Sequence, residues 1–591
     1  MRAMSADKMR GRVFRSTRGR GWASVVTFAL LAGCKAQSPA PATPASAAAA
    51  PPLWLVTIVV DQMAAWMADE RWNALPSDGG FARLLREGTY VRELRFAHSN
   101  TETAPGHSAL YTGVAPRVSG IVANDVLGPD GKKASSLLDA NTRLVPAGAA
   151  GPIDRRGSSL AALKVDTLAD ALVAARPGAE VYSLSLKDRG ALFGGGRHPK
   201  LVLWLDTEGG TLVTSTAFAQ AVPAWATPFA DGAAVARAFA QPWEPLDAGW
   251  LAAQSATRDD QEGEGDYQGM GTTFPHRAPS AKAMRATPAG DRLLLELARA
   301  AAAHAAETAA GRPVLIALSL SSHDYVNHVF GPGSWESWDE LRRLDRGLAE
   351  LLAALDTLAG PGGYAVMLTG DHGSNPLPEI ERSGKAAWCR SGAAADYWQR
   401  ACGRGSRLNA ADIARKLDEP RTLIAGVIDP FVYLTDRGRA LPPAEREALR
   451  KKIEALFAAS GDIAQVVDVR AAPATCPPSS EESLAALTCR SVRLDQAGDF
   501  YLVAAPGTFF DPDLAAGRGT NHGSPYLYDR AVPLIVRAPG RVPAGMTVTQ
   551  PTSFATFART AASLLAIPEP RGLADSDAPD LTKLPPMQLA H

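Results

Sequence analysis

The run that decides the fold is Leu53-Trp-Leu-Val-Thr-Ile-Val-Val60. Apolar residues fill nearly every position, as in a strand whose two faces are both buried in a parallel sheet. The run stops at Asp61, which places a carboxylate at the carboxyl end of the strand. Open α/β sheets bind their ligands at that end. The segment therefore predicts a parallel sheet with a functional edge.

Apolar runs of the same kind recur at 179–186, 313–320, 364–369 and 532–536, and 201–216 has the pattern of a hairpin. Helical patterns lie between the runs, at 80–88, 159–175, 291–308 and 338–358, the last with apolar residues at helical spacing. Residues 125–160 and 253–280 are polar or rich in turn-forming residues and predict irregular segments. Together these patterns predict a doubly wound, mainly parallel α/β sheet flanked by helices.

We expect one catalytic domain over residues 53–580, because a chain of 591 residues can form one large α/β domain with insertions. The insertions are expected around 125–300 and 380–508. In the second insertion the strand and helix pattern is looser, with one clear helix at 443–459 and short strands such as 500–504. This part is interpreted as a smaller lobe.

The first 33 residues have the pattern of a secretory signal. They carry seven basic side chains against one acid and precede an apolar run, 22–31, that is too short to span a bilayer. The segment ends Leu31-Ala-Gly-Cys34, which resembles the bacterial lipoprotein box. We therefore expect residues 1–33 to be a lipoprotein-type signal peptide, Cys34 to be lipidated and 34–52 to be a flexible tether. The expected location is the periplasm, with an anchor in the outer membrane, although Met9 is an alternative start.

The charge balance excludes a general affinity for nucleic acid. Basic and acidic residues number 61 each, and removal of residues 1–33 leaves 54 basic and 60 acidic side chains, a net charge of −6. Such a chain has no basic surplus, so any recognition of anions must be local.

Four cysteines follow Cys34, as two pairs with the same separation of thirteen positions: Cys389, Cys402, Cys476 and Cys489. In an oxidising compartment they favour two disulfides, 389 with 402 and 476 with 489, and the other two connectivities stay open. A zinc knuckle is disfavoured because no Cys-x-x-Cys spacing occurs.

Acidic and histidine side chains gather where the predicted strands end: Asp61, Asp324, His328, Asp371, His372 and His522. Asp324 and His328 are four positions apart, so a helix there would put both on one face. Three aspartates and three histidines suffice for two ions of the zinc type, whereas Mg²⁺ and Ca²⁺ sites use oxygen ligands. Each residue alone has an ordinary alternative, such as a helix cap, a surface pair or a loop histidine. His98, His107 and His323 are interpreted as structural.

The stretch from Asn100 to Asn124 predicts a loop followed by a helix. Pro105 suits the first turn of a helix, and Gly106 allows a close approach of the backbone to a ligand. The amides at a helix start favour an anion, so a hydroxyl there could meet a phosphate or sulfate. The plain alternative is a helix capped by Thr103.

Six motifs resemble those of the alkaline phosphatase superfamily, in the family's order: Val60-Asp-Gln-Met63, Thr103-Ala-Pro-Gly-His107 with Gly120-Ile-Val-Ala-Asn-Asp125, Ser185-Leu-Lys-Asp-Arg-Gly190, Asp324-Tyr-Val-Asn-His328, Gly370-Asp-His-Gly373 and Asn521-His-Gly523. The resemblance is to its phosphate monoesterase branch with a threonine nucleophile, in bacterial periplasmic alkaline phosphatases. That branch is related to type I phosphodiesterases and nucleotide pyrophosphatases. Ala104 and Asn327 depart from residues common in relatives, where glycine is usual.

The resemblance implies a set of roles. One zinc ion would be held by Asp324, His328 and His522, and another by Asp61, Asp371 and His372. Thr103 would be the metal-activated nucleophile, phosphorylated in the intermediate, with Thr101 as its rival. Asn124, Lys187 and Arg189 would bind the phosphate oxygens. A lysine and arginine pair belongs to the monoesterases, because a monoester has an extra anionic oxygen for them to neutralise.

We therefore expect a zinc-dependent phosphate monoesterase with two Zn²⁺ per chain that acts, as a monomer, on small phosphate esters. A phosphodiesterase or nucleotide pyrophosphatase on the same scaffold is the alternative. A non-catalytic envelope module that binds metal or phosphate is a third reading. A sulfatase is disfavoured because its Cys- or Ser-x-Pro-x-Arg signature does not occur around Thr103.

Overall fold

The computed structural model describes residues 54–585 except 129, 256, 310, 385–386, 391, 401, 418–421, 513, 516 and 574–576. These residues belong to one compact unit. The expected signal segment, Cys34 and the tether lie outside the described residues. Within the described part of the chain, no helix has both the length and the apolar character needed to span a bilayer.

The strands are β1 (Trp54–Val60), β2 (Thr89–Arg95), β3 (Asp125–Leu127), β4 (Lys133–Ser135), β5 (Leu138–Pro146), β6 (Arg156–Ser158), β7 (Glu180–Ser185), β8 (Leu201–Asp206), β9 (Thr211–Ser215), β10 (Val314–Leu320), β11 (Tyr364–Thr369), β12 (Ser406–Leu408), β13 (Ile424–Ile428), β14 (Phe431–Leu434), β15 (Ile463–Asp468), β16 (Phe500–Ala504), β17 (Thr508–Phe510), β18 (Ala531–Arg537), β19 (Met546–Val548) and β20 (Thr552–Ser553).

The helices are α1 (Ala65–Arg71), α2 (Gly80–Glu87), α3 (Thr103–Thr112), α4 (Pro116–Ser119), α5 (Leu168–Ala175), α6 (Asp188–Gly195), α7 (Thr227–Ala230), α8 (Gly232–Ala238), α9 (Ala248–Gln254), α10 (Ala281–Met284), α11 (Pro288–Thr308), α12 (Ser322–Phe330), α13 (Trp335–Ala359), α14 (Pro378–Ser383), α15 (Ala387–Arg390), α16 (Gly392–Tyr397), α17 (Ala410–Leu417), α18 (Asp436–Arg439), α19 (Pro443–Phe457), α20 (Leu484–Ser491), α21 (Leu527–Arg530) and α22 (Thr556–Leu565). Short 3₁₀ helices lie at Val469–Ala471, Arg571–Leu573 and Leu581–Lys583.

The central sheet has the strand order β19-β2-β18-β11-β1-β10-β7-β8-β9-β5-β6, and β20 pairs with β2. Strands β11, β1, β10, β7 and β8 are mutually parallel, and antiparallel pairs flank them on both sides. The expected mainly parallel α/β sheet is confirmed. In the register of these strands Val60 lies beside Leu320, and Val59 lies beside Thr369. Asp61 therefore leaves the sheet at the same edge as α12 and the segment after β11.

Both faces of β1 are buried, and its side chains alternate between two apolar cores. Val56, Ile58 and Val60 belong to the core covered by α11 and α13. Leu55 and Val59 belong to the opposite core, which is covered by α3, α5, α6 and α22. This two-sided burial explains why nearly every position of the run is apolar.

Two local predictions are wrong. The helix predicted over 159–175 begins only at Leu168, where Thr167 and Asp170 form a capping box that fixes the start. Residues 125–160 are not an irregular excursion, since they contain β3 to β6, and β5 and β6 extend the central sheet. Most of β5 is exposed or half-buried, so it lacks the apolar signal of the central strands.

The segment interpreted as a smaller lobe carries a separate antiparallel sheet with the order β13-β14-β16-β15. Helix α19 packs on β15 and contributes to a small apolar core with that sheet. Cys389 is bonded to Cys402 and Cys476 to Cys489, which confirms the favoured pairing.

Candidate metal centre and active site

Four segments bring the expected ligands together at the carboxyl edge of the parallel strands. Asp61 follows β1, Asp324 and His328 lie on α12, Asp371 and His372 follow β11, and His522 precedes β18. Two groups have their ligand atoms within 4.8 Å of one another: Asp324 with His328 and His522, and Asp61 with Asp324 and His372. All of these side chains are buried. The helix expected for Asp324 and His328 is present, and it places both in the first group.

The three histidines are oriented in the same way. In each ring Nδ1 faces a backbone carbonyl: His328 lies 2.7 Å from Thr520 O, His522 lies 2.8 Å from Thr101 O and His372 lies 3.0 Å from Gly373 O. Because a carbonyl can only accept, Nδ1 carries the hydrogen in each neutral ring. The Nε2 lone pair is then free to point into the site, which is the arrangement found in metal-binding histidines.

The buried polar atoms of the site and the protonation of its histidines are also consistent with metal binding. Asp61 Oδ1, Asp371 Oδ2 and His372 Nε2 are buried and make no well-directed hydrogen bond, and His372 Nε2 lies 3.3 Å from Asp61 Oδ1. Burial, and then the charges of the neighbouring His372 and His328, hold the pKa of His522 well below its usual value, so the His522 ring is neutral. Burial also lowers the pKa of His372, but the carboxylates of Asp371 and Asp61 outweigh it and raise the pKa to about 9. Metal binding would therefore release a proton there.

Asp371 lies beside the second ligand group without being a member of it. Its Oδ1 accepts from the backbone N of Gln62 at 3.1 Å, and its Oδ2 lies 3.0 Å from His107 Nδ1 and 3.5 Å from His372 Nε2. Asp324 takes the third position in the second ligand group instead. Asp324 therefore links the two groups, and the assignment of Asp371 as a ligand stays a prediction.

Helix α3 starts at Thr103, and its N-cap residue is Glu102. Thr103 is therefore not the cap that the plain alternative supposes. Its Oγ1 lies 3.2 Å from Lys187 Nζ, whereas the Thr101 hydroxyl donates to Ser524 O at 2.9 Å. Of the two threonines, Thr103 is the one whose hydroxyl reaches the charged centre.

Gly106 is needed for the approach of α3 to the strand end. A Cβ added at this position would lie 2.2 Å from the carbonyl oxygen of Asp371, which no side chain tolerates. The close approach predicted at Gly106 is thus to the backbone of a neighbouring segment.

The strand predicted over 179–186 ends at Ser185, and Lys187 and Arg189 lie at the start of the helix that follows it. Lys187 is the N-cap of α6, and Arg189 lies in its first turn. Lys187 Nζ lies 2.6 Å from Asp61 Oδ2 and 2.6 Å from Asp324 Oδ2. Burial would lower the pKa of Lys187, but Asp324 and Asp61 outweigh it and hold the pKa above its usual value. Lys187 is therefore a charged group at the centre of the site.

Arg189 has no strong partner among the described residues. Its side chain is 24% exposed, and its nearest carboxylate oxygen, on Asp188, lies 3.9 Å away. Its buried Nε has no hydrogen-bond partner. The guanidinium is therefore available to an anion.

Asn124 is held between two parts of the Asn100–Asn124 stretch. Its Oδ1 accepts from the Ala104 backbone N at 2.8 Å, and its own backbone N donates to Glu102 Oε2 at 2.7 Å. Glu102 also accepts from Asn100 Nδ2 at 3.2 Å. With Oδ1 occupied, the Nδ2 group of Asn124 is the part left to donate to a ligand.

Sequence reasoning missed Glu102 and Gln62. Burial raises the pKa of Glu102 to about 7. An acid at a helix start is common, so the sequence carried no signal for Glu102.

Gln62 adopts φ of 67°, donates from Nε2 to Asp324 Oδ1 at 2.7 Å and accepts from Ser374 Oγ at 2.9 Å. A left-handed residue directly after Asp61 points to a functional constraint, but only the structure reveals the angle.

The fold and this site define a class. A doubly wound sheet whose carboxyl edge gathers buried histidines and carboxylates beside a helix-start threonine is the arrangement of a metal-dependent hydrolase. The chain belongs to the type I phosphodiesterase / nucleotide pyrophosphatase family, whose model matches residues 55–524.

Individual relatives carry phosphatase names. Alkaline phosphatase PhoK of Sphingomonas sp is 31% identical over 552 residues, which cover 91% of this chain and 92% of PhoK. A Myroides odoratus protein named calcium-transporting ATPase is 30% identical over 546 residues, covering 88% of this chain and 93% of that protein. The solved structure of wild-type alkaline phosphatase PafA has a TM-score of 0.76 at 25% identity and covers 90% of this chain and 99% of that chain.

These findings confirm the resemblance to the alkaline phosphatase superfamily. They identify the chain as a phosphoester hydrolase, and its alkaline phosphatase relatives imply divalent metal ions.

Proposed function

We propose that the chain is an alkaline phosphatase that hydrolyses phosphate monoesters through a phosphothreonine at Thr103, with two Zn²⁺ ions. The observation that carries the proposal is the set of contacts around Lys187. Its Nζ touches the Thr103 hydroxyl, Asp61 and Asp324, so one cation joins the nucleophile to carboxylates of both ligand groups.

The donor set fits two zinc ions. Asp324, His328 and His522 would hold one ion, and Asp61 and His372, with Asp371 and the shared Asp324 beside them, would hold the other. Bound zinc supplies positive charge that lowers the pKa of a coordinated hydroxyl and stabilises the oxygen of a leaving group. Three imidazole nitrogens aimed into the site favour zinc over Mg²⁺ or Ca²⁺.

The chain's own residues account for the chemistry. The Thr103 oxygen forms a bond to phosphorus as the bond to the ester oxygen breaks, and the alcohol leaves with a proton that comes ultimately from the threonine hydroxyl. Water then attacks the phosphothreonine, restores the hydroxyl and releases inorganic phosphate. Asn124 Nδ2, Lys187 and Arg189 would bind the non-bridging oxygens, whose charge is spread in the transition state.

Two features support a monoester over a diester. A diester would place an uncharged substituent against Lys187 or Arg189 and leave a desolvated cation unpaired. In addition, a solved PafA variant has a threonine, an asparagine, a lysine and an arginine substituted. In PafA the threonine and the asparagine are 21 positions apart, and the lysine and the arginine are two positions apart. Thr103 and Asn124 have the same separation of 21 positions in this chain, and Lys187 and Arg189 have the same separation of two.

A phosphodiesterase or nucleotide pyrophosphatase is the second candidate, favoured by the description of the matching family. A panel of aryl phosphate and methyl aryl phosphate, assayed with the zinc-loaded chain, decides between them. Higher kcat/KM for the monoester supports the proposal, and higher kcat/KM for the diester overturns it. A chain that binds zinc but hydrolyses neither substrate would be the non-catalytic module.

The nucleophile is tested in the same assay. Thr103→Ala should abolish turnover, Thr103→Ser should retain part of it, and Thr101→Ala is the matched control that keeps the hydroxyl at 103. If Thr101→Ala alone lost activity, Thr101 and not Thr103 would be the nucleophile.

We also propose that the chain is exported and anchored through Cys34, and that it acts as a monomer. The basic segment, the apolar run before Cys34 and the two disulfides support export to an oxidising compartment. Replacement of Cys34 by Ala should move the protein from the membrane fraction to the soluble periplasmic fraction. An unchanged distribution would contradict the anchor.

A further inference from the structure

Tyr325 stands beside the catalytic centre without a place in the proposed chemistry. It follows Asp324 on α12, is 6% exposed, and its ring centroid lies 6.5 Å from that of His328. Lys187 Nζ lies 5.0 Å from the ring centroid. The ring therefore forms a wall of the site, next to the ligand group of Asp324 and His328.

A third cation packs against this wall. The Arg285 guanidinium lies 4.2 Å from the Tyr325 ring centroid and donates to the Tyr325 hydroxyl at 2.6 Å. It also donates to Tyr267 OH at 2.9 Å and to Lys282 O at 3.2 Å. Three hydrogen bonds on three different nitrogens fix its plane.

Arg285 keeps unused donors. A guanidinium has five N–H groups, so one N–H on each terminal nitrogen is left over. Arg285 is half-buried, and its hydrogen bonds to described residues go to two tyrosine hydroxyls and a backbone carbonyl, not to a carboxylate. Its distance to Lys187 Nζ is at most about 9.2 Å, the sum of the two distances to the Tyr325 ring. A fixed cation thus lies within about 9.2 Å of the phosphate-binding lysine.

We propose that Arg285, held by Tyr325 and Tyr267, is a specificity-determining residue that binds a second phosphoryl group on the leaving group of the substrate. The preferred substrates are then monoesters of small phosphorylated alcohols, such as sugar bisphosphates. An arginine fork matches the geometry of a phosphate, and hydrogen bonds already made to the two tyrosines reduce the entropy lost on binding. This inference rests on the proposed phosphatase activity.

The test compares fructose 1,6-bisphosphate with fructose 6-phosphate in the zinc-loaded chain. The measured quantity is the ratio of the two kcat/KM values, from initial rates of phosphate release. Arg285→Gln should lower this ratio about tenfold, the effect of one partly solvated charge-assisted hydrogen bond. Tyr325→Phe keeps the ring but removes the hydroxyl that orients Arg285, and it should lower the ratio by a smaller factor.

Arg346→Gln is the matched control, since it removes the same charge from an exposed position on α13. Its ratio should stay within about twofold of the original value, because an exposed charge paired with Glu350 is screened. An Arg285→Gln variant whose ratio is unchanged, or whose two kcat/KM values fall by the same factor, overturns the subsite. Failure of the unaltered chain to hydrolyse either ester would instead overturn the proposed function.

Discussion

Replacing Arg189 by Ala should separate monoesters from diesters more cleanly than any other change in the site. The Arg189 side chain is 24% exposed, its closest carboxylate oxygen is 3.9 Å away, and its Nε has no hydrogen-bond partner. Its loss therefore removes little from the fold. We expect the melting temperature to stay nearly constant while the binding of phosphate oxygens weakens.

The size of the effect follows from the contacts that Arg189 can make. A hydrogen bond to a charged group contributes about 1.5–3 kcal/mol, and partial exposure favours the lower end. Two such bonds to a phosphoryl group give about 3 kcal/mol, or roughly 100-fold in kcat/KM. Arg189→Lys keeps the charge but removes the two parallel N–H donors of the guanidinium, and its kcat/KM should fall roughly tenfold.

The assay measures kcat/KM for an aryl phosphate and its methyl diester with the zinc-loaded Arg189→Ala variant, and unfolding by circular dichroism serves as the control. The diester has one anionic oxygen fewer, so kcat/KM for the diester should fall by less than about tenfold. Equal losses on both substrates with an unchanged melting temperature would refute the role of Arg189 in selecting monoesters.

Three further predictions concern Asp324, Glu102 and the buried acid Glu381. Asp324 belongs to both ligand groups, so Asp324→Ala should lower the zinc content by elemental analysis more than His328→Ala does; equal losses would contradict a shared ligand. Glu102→Gln weakens the acceptor for the backbone N of Asn124 and should lower kcat/KM for the aryl phosphate about tenfold, and an unchanged value would show that Asn124 needs no such support. Burial raises the pKa of Glu381 from 4.5 to about 8, so the folded state keeps a proton that the unfolded state loses, and stability falls as the pH rises across this window. Glu381→Gln should remove that fall, about 1.4 kcal/mol per pH unit, as measured by denaturant unfolding at pH 5 and pH 8; a parallel fall in the variant would contradict the assignment.

The central strands could be predicted because their burial leaves a continuous apolar pattern. Strands β1, β10 and β11 are buried at every residue. The outer strands gave no such pattern. β5 pairs with β9 through backbone hydrogen bonds while most of its side chains face water or are half-buried, so its sequence looks like a loop.

The candidate site was predictable as a set of residues but not as an arrangement. The spacing of Asp324 and His328 already placed both on one helix face, and the structure bears this out. The central place of Asp324 and the side position of Asp371 depend on distances between four segments far apart in the chain. No local pattern encodes such distances.

Supporting residues were the hardest to foresee, because their chemistry is ordinary. Glu102, Gln62 and Arg285 are common residue types whose roles come only from the atoms they meet in the fold. Arg285 in particular lies after a segment, 253–280, that was correctly predicted to lack helices and regular strands over most of its described length. The same segment supplies Tyr267, which helps to orient Arg285.

The most direct test of the account is to locate the phosphoryl group on the protein during turnover. The zinc-loaded chain is mixed with an aryl phosphate, quenched in acid within the turnover time and analysed by peptide mass spectrometry. We predict one phosphoryl group on the peptide that spans 100–124, with fragment ions that assign it to Thr103, and none in Thr103→Ala. Phosphorylation of Thr101, or full turnover with no phosphorylated peptide at any quench time, would contradict the phosphothreonine mechanism.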